Sequence, residues 1–500
     1  MHKVFVRHPA FFILLHCLVW WITTILAKST LDGYGDMVEV YAWSQHWLMG
    51  SDKHPQFLPW MAKLWFTVAR QTVASFYFLS AINLAVAMFG ILALGRAVKL
   101  GDMQLAVALA LCALALPYLT LPGKLNMNAI CLSTWPWTAW AFVRTIDRAA
   151  RRRLVHAVLL GILAAVSMLG KYYSVVLLLP LFLYTLAPGQ RWIWRTPAPW
   201  LAGAAFLLAF LPHLLWLIEH SDAVAYANNQ DSGGGMANRF RYILKFAAAP
   251  LVYWPIPIVF AVVALSSGRY PGRIGKALDF RTVPGVLAVA AIGPWLTPIA
   301  FSIVGLAELS TPWAIPIGFA FTLYLVANSD PDRLAVNGPR LLDAYRFIWP
   351  AMIVTGLAIA VGAGMKSDAR SYRPEAESAG AVHEYWAARH AAPLLWAARG
   401  NSAAVLAFFS PTALEALPKL PDRLPSYYPP FADWKDKAGV VFCSLRRGED
   451  VDEACLNEMV AWADAAGLQA EPVTLTVRRG GWRFPKDVPF ALAVVYVWPR

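Results

Sequence analysis

Long apolar runs fill the first three quarters of this chain. Segments of spanning length fall at about 10–27, 74–95, 103–120, 128–143, 154–170, 173–187, 199–218, 247–266, 283–303, 310–327 and 347–364. The pattern predicts a membrane α-helical protein with about eleven transmembrane helices. Several runs are interrupted by Pro or Trp, and the fifth and sixth almost merge. After residue 365 the pattern changes and polar residues return. Residues 375–391 and 450–466 read as helices, and 392–396, 438–444, 473–477 and 490–498 as strands. The expected organisation is a polytopic membrane domain, 1–365, followed by a small extracytoplasmic α/β domain, 366–500.

Composition agrees with a bilayer. Hydrophobic residues make up 58% of the chain, and charged residues only 15%, against roughly 25% in soluble domains. The net charge of +13 raises the question of nucleic acid, but its placement answers it. With the amino terminus in the cytoplasm, the bases gather in alternate loops, as with Arg148, Arg151, Arg152 and Arg153, or Arg269, Arg273, Lys276 and Arg281. That is the positive-inside asymmetry of a membrane protein, so no nucleic-acid partner is expected. An odd number of spans puts the carboxyl terminus outside the cell membrane. The first segment has no small-residue cleavage site and reads as a retained helix. Cys17, Cys112 and Cys131 fall within spans. Cys443 and Cys455, twelve apart in the outer domain, are either a disulfide or two separate core residues.

Chemistry concentrates in residues 30–60, TLDGYGDMVEVYAWSQHWLMGSDKHPQFLPW. Acids, bases and aromatics just outside the first span suit the water–lipid boundary, where rings settle and ionisable groups have tasks. An amphipathic surface connector would have the same composition. The run GDMVEVYAWSQHWLMGSDKHP resembles the first outer loop of glycosyltransferase family 39, the polyprenyl-phosphate-sugar-dependent transferases that include the lipid A aminoarabinose transferase and the protein O-mannosyltransferases. Trp43-Ser44-Gln45-His46 and His54-Pro55 match at the family's spacing, which places Asp36 on its leading acid. Met37 stands where the family has Glu. Lys53 stands in the second acid position, with Asp52 one residue early.

The resemblance implies a GT-C architecture, a sugar transferred with inversion from a polyprenyl-phosphate donor, and no nucleotide sugar. The acceptor would be an envelope glycolipid, a glycan or a protein at the outer face of the bacterial inner membrane. Asp36 would accept the acceptor's proton, and positive charge would stabilise the departing lipid phosphate. The bases available for that are Lys53, His54, Lys171, Arg239 and Arg241. Glu39, Asp52, Asn128 and Tyr172 complete the substrate-binding set. Some relatives hold a divalent metal near the acidic pair, an expectation weakened here by Lys53.

Each of these residues has a plainer reading. Asn128 matches a family Asp in neutral form, or caps a helix. Lys171, in Gly170-Lys171-Tyr172-Tyr173, either meets an anion or snorkels. Residues 221–246 combine three glycines with Arg239, Arg241 and Lys245, which suits a lid over a phosphate or a flexible connector. Pro212 to His220 also resembles the family. A glycolipid transporter or flippase, or a catalytically inactive relative, would share the spans. A transporter would usually add internal symmetry, and no repeat is evident.

Overall fold

The computed structural model describes residues 1–32, 35–220, 235–269, 271–279, 281, 283–366, 373–448, 450–479 and 488–500. The chain packs as two compact units. The first comprises Met1–Trp21, Met49–Leu58 and Phe78–Met352. The second comprises Ile22–Leu48, Pro59–Tyr77 and Ile353–Arg500.

Helices occupy every apolar segment of the sequence. Among the described residues six are long and apolar enough to cross a membrane: Pro9–Ala27, Val73–Ala97, Arg153–Gly170, Ala198–Glu219, Gly285–Ile303 and Pro331–Met365. Their outward faces are those of a lipid-solvated protein. On Ala198–Glu219, Leu207, Leu208 and Ile218 are 60, 73 and 69% exposed, which water would not tolerate over such an area. This is a membrane protein.

Inside the first unit, helices approach through small residues, as membrane helices do. A side chain on Gly161 would run into the backbone of Ala202, and one on Gly293 would meet Pro180. Polar groups between helices pair with one another. Asn83 donates to the carbonyl of Ala129 (2.8 Å) and accepts from the Ser133 hydroxyl (2.6 Å).

Three segments differ from unbroken spans, the first being 103–120, which divides into Asp102–Ala113 and Leu116–Leu119. Residues 247–266 break into Ala249–Tyr253, Pro255–Phe260 and a π-helical turn, Ala261–Leu265. Residues 310–327 begin as short 3-10 turns, Thr311–Ala314 and Ile317–Ala320, before the helix Phe321–Ala327. Pro250, Pro255, Pro257, Pro312 and Pro316 lack the N–H that a continuous helix would use. The last long helix starts well before 347, at Pro331. Its early turns bury Leu334, Leu341, Leu342 and Tyr345 and expose Arg340 and Arg346, an amphipathic stripe rather than a uniformly apolar one.

The second unit contains a five-stranded sheet with strand order β2-β1-β3-β5-β4. Its strands are β1 Trp396–Ala398, β2 Glu415–Leu417, β3 Gly439–Arg447, β4 Leu468–Arg478 and β5 Pro489–Pro499. β1 runs parallel to both β2 and β3, whereas β5 is antiparallel to β3 and β4. Trp396 lies opposite Gly439 in register, and any side chain on Gly439 would overlap its indole. Helix Glu453–Ala465 covers one face, and Cys455 on it forms a disulfide with Cys443 at the bulge in β3. Helix Gly400–Phe409 packs against helix Asp36–Ser44, where Phe408 meets Tyr41, Phe66 and Phe76 edge-on or stacked.

Candidate active site

Two clusters, one in each unit, hold the residues singled out by the sequence. The first begins where helix Arg153–Gly170 ends. Lys171 leaves the helix in an extended conformation, and residues Tyr172–Ser174 turn the chain into helix Val175–Thr185. Ser174 pins this turn by donating to the Ser167 carbonyl (2.6 Å) and accepting from the Trp135 indole (2.9 Å). Lys171 is therefore held in place and is only 9% exposed. Its ammonium donates to Asn128 Oδ1 at 2.5 Å and lies 5.5 and 5.4 Å from the ring centres of Tyr173 and Trp313. Cation–π faces and an amide oxygen compensate a buried charge. The helix cap expected of Asn128 belongs to Asn126, whose side chain accepts from the amides of Asn128 and Ala129.

Lys53 and His54 lie on a tight turn. Ser51 accepts at its hydroxyl from the His54 amide and donates its own amide to the His54 carbonyl, and Gly50 bridges Pro55. Gly50 is required there, since a side chain would enter the Trp216 ring. Trp216 stacks on His213, and His213 Nδ1 is 2.6 Å from the carbonyl of Met49. His213 Nε2 is 2.7 Å from the Tyr172 hydroxyl. This chain of contacts ties the Lys53–His54 turn to the Lys171–Tyr172 turn. Burial, with the Lys171 and Lys53 ammonium groups nearby, holds the His54 imidazole down at about 3. His54 is thus neutral near pH 7, and the lysines carry the positive charge. Asp52 on the same turn is exposed.

Arg239 and Arg241 lie on helix Gly235–Ala247. The Arg239 guanidinium is beside Gly305, and Arg241 lies over Tyr242. The expected lid loop falls at 221–234, outside the described residues. Trp313, one wall of the lysine box, starts a turn whose Ala314, Ile317 and Gly318 line an apolar cavity of about 720 Å³ with Trp254, Trp295 and Phe321.

The second cluster surrounds helix Asp36–Ser44. Asp36 and Glu39 sit in its first turn, both half-buried. Asp32, four residues before, is buried and accepts from the amides of Met37 (2.7 Å) and Asp36 (3.2 Å). Its charge suits the positive end of the helix. Near it lie Glu375, Glu377 and Arg479. Arg479, 7% exposed, donates to the Arg373 carbonyl (2.6 Å) and Ser29 hydroxyl (2.7 Å) and faces Glu377 at 3.5 Å. Burial pushes the Glu375 carboxyl up to about 7 against the pull of Arg479 and Arg373, with Asp32 and Glu377 adding to the rise.

Residues 53–216 match a family model described as dolichyl-phosphate-mannose-protein mannosyltransferase. Over 96% of its length the chain also overlays 97% of the crystal structure of ArnT from Cupriavidus metallidurans bound to undecaprenyl phosphate, at 12% identity and a TM-score of 0.57. The chain shares the fold of this ArnT structure. The apo ArnT structure covers 97% of the chain and 98% of its own at 12% identity, with a TM-score of 0.47. Arabinofuranosyltransferase AftD from Mycobacteria covers 98% of the chain and 40% of its own at 14% identity, with a TM-score of 0.45. No curated protein sequence matches the chain.

Two residues of Trp43-Ser44-Gln45-His46 have work that the sequence pattern does not reveal. The Gln45 amide donates to the Leu414 carbonyl (2.9 Å) and accepts from the Ala416 amide (2.8 Å), satisfying the open edge of β2. His46 Nε2 meets Glu415 at 2.9 Å. Trp43-Ser44-Gln45-His46 thus fastens the first-loop helix to the sheet. Asp32, His213, Trp313, Glu375 and Arg479 were not singled out from sequence as site residues. Asp32 lies three residues ahead of the Gly35 N-cap, outside the usual capping position, so no local rule points to it. Among the described residues no group of three or more His, Cys, Asp or Glu is placed to hold a metal.

Proposed function

We propose that this protein is a GT-C-type integral membrane glycosyltransferase that moves a sugar from a polyprenyl-phosphate donor to an envelope lipid, glycan or protein. The observation that carries the reading is the fixed Lys171 ammonium, sharing its surroundings with Lys53 and His54 in a fold that ArnT uses when bound to undecaprenyl phosphate. A buried lysine held by its neighbours is pre-organised for an anion, so little is lost in ordering it when charge develops. The leaving group is the lipid phosphate, and Lys171 and Lys53 stabilise it. Arg239 and Arg241 remain further bases for the same anion. The apolar cavity beyond Trp313 is suited to the first isoprene units.

Asp36, which matches the family's leading acid, is assigned the base that takes the acceptor hydroxyl's proton, so that attack inverts the anomeric centre. Asp32 holds the helix start that carries it. Glu39, Asp52, Asn128 and Tyr172 are assigned to substrate. Loop basicity supports an orientation with the sheet domain outside, and the proposed setting is the inner membrane of a bacterium.

Two measurements test the reading. Purified protein in nanodiscs should bind farnesyl phosphate. Deleting the gene should remove from the host's lipid extract a species heavier than its remaining precursor by one sugar. Absence of farnesyl phosphate binding overturns the donor reading, and absence of both overturns the whole proposal.

A further inference from the structure

The hydrogen-bond chain at Tyr172 fixes the direction of its own proton. The Met49 carbonyl is an acceptor only, so at 2.6 Å it takes the proton on His213 Nδ1. His213 is 1% exposed and, among the described residues, has a carbonyl and a phenol as its polar partners, a setting that disfavours an imidazolium. Its Nε2 therefore presents a lone pair. The Tyr172 hydroxyl, 2.7 Å away, must donate to that lone pair. A phenol has one proton. With that proton committed, Tyr172 has only lone pairs to offer a ligand, and its half-buried position beside Lys171 leaves it within reach of one.

The consequence for ligand polarity is sharp. Phosphate oxygens are acceptors at neutral pH and gain nothing from a second acceptor. Lys171 has donors only. The adjacent pair Lys171–Tyr172 therefore divides a bound molecule into an anionic part and a part bearing O–H or N–H. We propose that Tyr172 is a specificity-determining residue that accepts a hydrogen bond from a hydroxyl or amino group of the transferred sugar and does not contact the phosphate. This inference rests on the donor reading given above.

The test titrates wild type and Tyr172→Phe in nanodiscs with farnesyl phosphate, and with farnesyl phosphoryl glucose, mannose and arabinose, each beside its fully O-methylated form. In wild type the best-bound free sugar should exceed its methylated counterpart by about tenfold, the weight of one good hydrogen bond. In Tyr172→Phe that advantage should vanish, while farnesyl phosphate binds within twofold of wild type. An advantage that survives the substitution, or a matching loss of farnesyl phosphate affinity, overturns the assignment. If wild type binds no farnesyl phosphate, the donor reading falls and this inference with it. Nitrogen-15 spectra of histidine-labelled protein supply a measure that needs no variant. His213 Nε2 should resonate as an unprotonated imidazole nitrogen, and a protonated Nε2 would free the phenol proton and end the proposal.

Discussion

Lys171 donates to Asn128 across 2.5 Å, so a neutral amide oxygen helps to hold the ammonium in place. A carboxylate at 128 would form an ion pair and leave less field for a ligand. Lys171→Ala should weaken farnesyl phosphate binding about tenfold or more, within the range for one charge-assisted contact. Lys171→Arg should retain part of the affinity, limited by refitting a planar guanidinium between Tyr173 and Trp313. Asn128→Asp should also weaken binding. Unchanged affinity in Lys171→Ala would make the lysine a packing element only.

Asp36 and Asp32 should separate into chemistry and stability. Asp36→Asn keeps the size of the side chain and removes the base, so sugar transfer, read as recovery of the missing glycolipid in the deletion strain, should fall by roughly a hundredfold. Its melting temperature should not change. Asp32→Asn removes the buried charge that accepts from the first amides of the helix, and unfolding should become easier by about 1 kcal/mol. An Asp36→Asn strain with full glycolipid removes Asp36 from its role.

Glu375 and His54 predict opposite pH slopes. The Glu375 carboxyl titrates near 7 when folded, against its ordinary 4.5, so the folded chain binds the extra proton in that window. Stability must then fall as pH rises from about 4.5 to 7. Glu375→Gln should flatten that limb. His54 lies at about 3 against its ordinary 6.5, so the unfolded chain binds the proton first. Stability should fall as pH drops below 6.5, and His54→Gln should remove that loss. Thermal melts from pH 4 to 8 decide both.

Sidedness has its own test. Cys17, Cys112 and Cys131 are buried, and Cys443 is bonded to Cys455, so new cysteines report on a quiet background. In intact cells an impermeant maleimide should label Ser402→Cys and spare Ser267→Cys. The reverse pattern would invert the proposed orientation.

Much of this was legible because the bilayer writes hydropathy in blocks of about twenty residues. All eleven apolar segments became helical, and the breaks fell at prolines visible in the sequence. The strands expected at 438–444, 473–477 and 490–498 form as the longer strands Gly439–Arg447, Leu468–Arg478 and Pro489–Pro499, whereas the one expected at 392–396 meets β1 only at Trp396. β2, three residues long, offered no period to count. The site was legible only where a motif was local. His213 meets Met49 from 164 residues away, and His46 meets Glu415 from 369, and no spacing rule reaches that far. Asn126 and Asn128 are equally good caps on paper. Which one caps was decided by where the helix began.

The edge of the sheet gives the last prediction. β2 is flanked by β1 on one side only, and an unpaired strand edge leaves backbone groups unsatisfied. Gln45 meets both kinds of group at once, donating to Leu414 and accepting from Ala416. Lys63 in turn donates to the Gln45 carbonyl at 2.7 Å, fixing the residue's own backbone. Replacing Gln45 with Leu keeps comparable bulk but leaves the Ala416 amide and the Leu414 carbonyl without this partner, at a cost of about 1–3 kcal/mol. The Ala416 amide hydrogen should then exchange with solvent much faster than in wild type. Gln45→Glu keeps the acceptor for Ala416 and loses only the donor, so Ala416 should stay largely protected while stability still drops. Farnesyl phosphate affinity should be unchanged in both, because none of the bases assigned to phosphate belongs to this unit. Exchange measured at residue level decides the matter. Equal protection of Ala416 in wild type and Gln45→Leu would mean that the sheet edge does not depend on Gln45.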